Sequence, residues 1–202
     1  GDSTKGEDVM RFVIGVVLAS IVLFGWGFVY WGFFQFQDFT LQRTENTETI
    51  GYILKDHFPQ NGTYIVPGHD QLDREQRYLE GPVAMIHMLR IEGRPEFEKS
   101  IMIKGFALNV IVVILMGVVL QCVAKALPTY WSRVGMAGLI GLTAAVMIDL
   151  GEIAWWEIDW KWQGYAAVYH VTAALAIGLV LGAFIRPPRI VDQESSQNDN
   201  SA

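Results

Sequence analysis

Four runs along the chain are almost free of charged side chains, and the stretches between them mix polar and apolar residues as water-soluble segments do. The first, residues 12–34 (FVIGVVLASIVLFGWGFVYWGFF), has 23 residues without a charge. At about 1.5 Å per helical residue it exceeds a hydrocarbon core of about 30 Å. The others are residues 105–123, closed by Lys125 and Pro128; residues 134–153; and residues 165–185, which stop at Arg186 and Pro187. In hydrocarbon a backbone must satisfy its own N–H and C=O groups, and a helix does so within one segment. The pattern therefore predicts an all-α transmembrane four-helix bundle. The first run reads as an uncleaved anchor, because its apolar centre is too long for a signal peptide and passes straight into an aromatic cluster containing Trp26, Tyr30 and Trp31.

Residues 35–104 predict a small α+β extramembrane insertion between helices 1 and 2. Within it, residues 46–58 (NTETIGYILKDHF) place Ile50, Ile53, Leu54 and His57 at helical spacing. Asn61-Gly62 is a turn signal, and residues 63–67 and 82–92 read as two strands around a charged stretch at 70–80. Residues 96–104 begin a helix that lies at the interface or runs into the second span. A short N-terminal segment, 1–11, precedes the first span, a Trp-rich loop is expected over 154–164, and residues 186–202 form a polar tail. The chain opens on Gly1 instead of methionine, as expected of a processed, tagged or trimmed N-terminus.

Basic residues near the span ends set an expected orientation. Lys5, Arg11, Lys125, Arg133, Arg186 and Arg189 fall on one side, whereas the connection between spans 3 and 4 offers only Lys161 against Glu157 and Asp159. By the positive-inside rule both termini are cytoplasmic and residues 35–104 periplasmic, in a bacterial inner membrane. Composition adds two exclusions. The 15 basic and 21 acidic residues give a net charge of −6, which leaves no basic surface for a phosphate backbone, so nucleic acid is not an expected partner. The single cysteine, Cys122, has no intramolecular disulfide partner and reads as an inert small residue of the packed interior.

Small residues recur four apart at Ala174, Gly178 and Gly182, and Gly135, Gly138 and Gly141, three apart, do similar duty in the third span. In lipid such positions let helix backbones approach closely. The polar groups within the spans are more informative. Asp149 and Glu152, three residues apart on one face of the third span, lie near its outer end; His170 in the fourth and Asn109 in the second lie at comparable depth. Ionisable groups there are costly unless paired, hydrated or liganded. Two readings stay open: structural satisfaction, or a site that handles protons or a metal. His57, His69 and His87 in the insertion are weak metal candidates, since no HxxxH, CxxC or HExxH spacing is present. No metal or cofactor is expected, though a bound lipid or pigment at the periphery is compatible with the pattern. Trp155, Trp156, Trp160 and Trp162, with Trp26 and Trp31, read either as an aromatic belt at the outer interface or as a docking surface for protein or pigment.

The first span carries GVVxxSxVLFxWGFVxW over residues 15–31, residues 61–68 read NGTYIVPG, Gly81-Pro82 opens an apolar strand, and three more spans with Trp-rich outer connections follow. In these features the chain resembles a group of uncharacterised bacterial inner-membrane proteins of about this size. The resemblance covers most of the chain, rests on aromatic and glycine placement, and implies topology without an activity; Asp149 and Glu152 stand outside the shared pattern. The expected role is a non-catalytic accessory or scaffolding subunit of a larger membrane complex, such as a respiratory or photosynthetic energy-transducing one. The alternatives are a small membrane enzyme or proton/metal-handling protein using Asp149, Glu152 and His170, and a membrane assembly factor.

Overall fold

A computed structural model describes residues 2–33 and 36–186, with side chains described for 6–33 and 38–186. Phe34 and the tail beyond Arg186 lie outside the described residues. The chain forms two units, residues 42–99 and the remainder.

The larger unit contains four helices long and apolar enough to cross a membrane. Helix α1 (Asp2–Phe28) continues through one π turn, Val29–Phe33. Helix α4 (Lys99–Cys122) is unbroken, so residues 96–104 do not form a separate interfacial segment. Helix α5 (Tyr130–Ala144) passes through a π segment, Ala145–Leu150, into α6 (Gly151–Trp156), making one continuous rod. Helix α7 (Trp160–Phe184) returns alongside it.

Each helix begins before its nearly uncharged run, because hydropathy marks the apolar length and capping marks the true start. Thr129 and Ser132 form a reciprocal capping box that starts α5 four residues before the apolar run. Asp159 accepts from the backbone N–H groups of Lys161 and Trp162 and starts α7 five residues early. The expected Trp-rich loop over 154–164 is thus a correction: only residues 157–159 separate the helices, and Glu157 turns the chain with a left-handed φ of 53°.

Helix α7 is the common partner. Its Ala173, Ala174, Ile177 and Leu181 join Val16, Ala19 and Leu23 of α1, Val113, Met116 and Leu120 of α4 and Ala137 of α5 in one buried core. At the α5–α7 seam the backbones nearly touch. A Cβ on Gly141 would land on that of Ala174 and 3.1 Å from the His170 carbonyl oxygen, and one on Gly178 would sit 2.6 Å from the Ala137 Cβ. Gly138 faces the Leu175 side chain and Gly182 the Tyr130 ring, whereas Gly135 faces open space and does not belong to the seam. The core is narrow, and much of the apolar surface points outward, as at Val17, Ile111, Leu142 and Leu179. Cys122 is also exposed, contrary to the interior position expected of it.

The smaller unit contains α2 (Thr47–His57), β1 (Gly62–Val66), α3 (Arg74–Glu80) and β2 (Ala84–Met88). The strands pair antiparallel, with Thr63 opposite His87 and Val66 opposite Ala84. The charged stretch at 70–80 is therefore partly helix. Arg77 binds Asp73 and Gln76 binds Glu80, both one turn apart, and Gly81 ends the helix at a φ of +66° that a side chain would strain. The hydrogen bond from Arg77 holds the Asp73 carboxyl below its ordinary value. A depressed folded-state pKa contributes stability above the unfolded value and loses it as pH falls through the folded one. Replacing Arg77 by Gln is expected to return the Asp73 titration to about pH 4 by carboxyl NMR; an unchanged midpoint would discount the pair.

Candidate functional site

The polar groups of the larger unit gather toward the Trp-rich end of the bundle, in two networks that both use α7. The first joins α7 to the third span. Asp149, on the π segment, is 2% exposed, and its Oδ2 lies 2.7 Å from His170 Nδ1. The His170 side chain is 41% exposed, so the carboxylate is enclosed while the imidazole reaches the bundle surface. One turn nearer the end, Glu152 accepts from Gln163 Nε2. Gln163 is 4% exposed, and its amide places the Glu152 carboxylate against α7 as His170 places Asp149.

The sequence-expected cluster is only partly one site. Asp149 and His170 come together, Glu152 takes a different partner, and no hydrogen bond joins Asn109 to either pair among the described residues. The π segment is the local reason, since five-residue hydrogen bonding rotates the side chains after Ala144 relative to a regular helix. Gln163 was the missed member. Its signal was an amide in the first turn after Asp159, on the helix opposite an unpartnered acid.

The second network joins α7 to α1. The Tyr30 and Tyr165 rings stack with centroids 4.4 Å apart. Each hydroxyl donates to the other residue's carbonyl oxygen, Tyr30 to Tyr165 at 2.7 Å and Tyr165 in return. The Tyr30 carbonyl, within the π turn at Val29–Phe33, is the acceptor used here. Below this pair Trp26 Nε1 donates to Thr172 Oγ1 at 3.1 Å, while Trp31 packs on Trp162, Tyr165 and Tyr169. The tryptophans therefore divide. Trp26, Trp31 and Trp162 pack within the bundle, whereas Trp155, Trp156 and Trp160 are exposed. Replacing Tyr30 by Phe keeps the ring stack but removes the second, side-chain donor to the Tyr165 carbonyl; a loss of about 1 kcal/mol is expected in detergent unfolding experiments. Unchanged unfolding would show that water serves this carbonyl equally well.

Arg133, at the other end, is a further buried polar group. Its place at a span end suggests an interfacial charge, yet it is 6% exposed. Its Nε donates to the Gly182 carbonyl at 3.1 Å and its Nη1 to those of Leu127 and Pro128. The Gly182 carbonyl lies in the last turn of α7, where no further helical N–H reaches it. The guanidinium therefore caps the fourth span and fastens the preceding loop to it, with its positive charge at the negative end of a helix dipole.

The three remaining histidines stand apart from these networks. His87 Nδ1 lies 2.9 Å from Thr63 Oγ1, and His57 is 4.0 Å from Asp56. Among the described residues no three His, Cys, Asp or Glu side chains converge where they could hold a metal ion. Compared with known protein families, with curated proteins and with solved structures, the chain finds no match.

Proposed function

We propose that the protein is a multi-pass subunit of a larger bacterial inner-membrane assembly, of the respiratory or photosynthetic energy-transducing kind, and that it organises partners instead of catalysing a reaction. In this reading residues 1–11 and 186–202 are cytoplasmic and residues 35–104 periplasmic. The gathering of Arg11, Lys125 and Arg186 near one set of span ends supports that orientation.

The observation that carries the reading is the surface of the extramembrane unit. Neither α2 nor α3 buries a single residue, and Ile53, Leu79, Val83, Leu89 and Phe97 are exposed. Apolar side chains that stay uncovered outside a hydrocarbon layer support contact with another protein. The pairing of Asp149 with His170 and of Glu152 with Gln163 fits the same reading, because it ties spans to one another. Native electrophoresis in mild detergent is expected to show stoichiometric comigration with other membrane subunits, weakened when Ile53 and Leu79 are both replaced by Ser. A monomeric wild-type protein in membranes solubilised from its own host would overturn it.

A second reading rests on one contrast: an enclosed Asp149 carboxylate connected to the bundle surface through the half-exposed His170 ring. A proton moving between bundle and surroundings would use that pair. Asp149→Asn is expected to abolish proton flux in dye-loaded vesicles if this holds; equal flux from the variant would remove the reading.

A further inference from the structure

At the Arg133 end of the bundle, α1, α4 and α7 leave a cleft of about 160 Å³. Its floor is apolar, with Ala124 and Ile185 both buried. Phe12 and Phe184 form its walls, and Asp8, Gln121 and Arg186 supply its polar groups. We infer that this cleft binds the headgroup of a zwitterionic aminophospholipid, with Arg186 on the phosphate and Asp8 on the ammonium. The inference rests on the membrane placement proposed above.

Position is the first argument. Asp8 precedes the uncharged run of α1, and Arg186 follows that of α7, so the cleft opens at the level where apolar spans give way to polar chain and where headgroups lie. Charge is the second. Asp8 and Arg186 line the same cleft with opposite signs, and among the described residues neither makes an ion pair. A guanidinium forks onto phosphate oxygens, and a carboxylate accepts from a primary ammonium. Helix α4 also ends here, and the partial negative charge of its last carbonyls favours the ammonium near Gln121.

Size is the third argument, and it discriminates. At about 30 Å³ per water the cleft admits roughly five water-sized groups, far below the roughly 300–1,000 Å³ of pockets that enclose whole small molecules. A phosphoethanolamine group is of the right order, provided its acyl chains stay outside. The outward apolar side chains Val9, Met10 and Val13 on α1 supply a surface for them.

The test compares phosphatidylethanolamine with phosphatidylcholine, whose methylated nitrogen has no N–H to donate, on detergent-purified full-length protein by native mass spectrometry. Wild-type protein is expected to retain phosphatidylethanolamine about tenfold better, the scale of one charge-assisted hydrogen bond. Asp8→Asn should erase that preference while leaving phosphatidylcholine retention unchanged, and Arg186→Gln should weaken both lipids about tenfold. Free phosphoethanolamine should not displace the lipid, since it lacks the chains; displacement would point to a soluble phosphate compound and overturn the lipid assignment. Equal retention of the two lipids by wild type, or a preference that survives Asp8→Asn, would also overturn it. Asp8 and Arg186 are exposed, so unchanged unfolding temperatures are expected and serve as the folding control. Failure in protein that still requires detergent refutes the cleft alone, whereas monodisperse protein in plain buffer refutes the membrane placement itself.

Discussion

Leucine at Gly141 or Gly178 is expected to force the third and fourth spans apart and to leave little folded protein in detergent. At these two positions the neighbour is backbone as well as side chain. A Cβ at residue 141 meets the His170 carbonyl oxygen at 3.1 Å and Val171 Cα at 3.3 Å, and one at residue 178 meets Val134 Cα at 3.3 Å. Overpacking of an interior commonly costs about 1–3 kcal/mol when side chains can yield. Here helix axes must move, so about 3 kcal/mol or more is expected from each substitution, a large share of the about 5–15 kcal/mol that holds a typical domain. Gly135→Leu is the control, because its Cβ meets nothing within 4 Å and a shift within about 0.5 kcal/mol is expected. Thermal unfolding of the three variants in one detergent decides the matter. Equal behaviour at 135 and 141 would mean that the seam is looser than described.

The second large effect is expected at Arg133. Arg133→Met keeps most of the apolar stem but removes donors from the carbonyls of Gly182, Leu127 and Pro128. Leaving a buried acceptor unsatisfied costs about 1–3 kcal/mol. The bonds to the loop carbonyls are only partly buried whereas that to Gly182 is buried, so the Gly182 carbonyl dominates and a total of roughly 3 kcal/mol is expected. Arg133→Lys should recover part of that, because an ammonium on a flexible stem can reach one acceptor but does not present the planar fork that spans two segments. Chemical denaturation in micelles measures both. Stability of the Met variant within about 0.5 kcal/mol of wild type would reassign Arg133 to an ordinary interfacial charge.

The contrast between Gly135 and Arg133 shows what the residue pattern could and could not convey. Four nearly uncharged runs are legible because hydrocarbon demands some twenty apolar residues at a stretch. The α2 helix and the two strands are legible from periodicity and turn residues. Helix ends were not, since the first and last turns are polar and obey caps such as Thr129 and Asp159 instead of hydropathy. The α3 helix left signals in its one-turn pairs, Asp73 with Arg77 and Gln76 with Glu80, beneath a high density of charge. Gly135 carries the same spacing as Gly138 and Gly141, yet a three-four repeat alone does not say which side of a helix meets its neighbour. The π segment at Ala145–Leu150 has no sequence marker, and it directs Asp149 to His170 and Glu152 to Gln163. Arg133 was read as a marker of sidedness because basic residues at span ends usually are; only the meeting of α5 with the end of α7 shows it enclosed.

Because α7 is the element against which both α1 and α5 pack, the order of synthesis runs opposite to the order of packing. In the membrane placement proposed above, α1 and α5 are delivered before the helix that joins them, so each waits with its α7 face open to lipid. Closure is therefore a late and concerted event, gated by the arrival of residues 160–184. A nascent chain stalled before Trp160 would leave those earlier helices without their shared partner, a substrate for membrane proteases and holding chaperones.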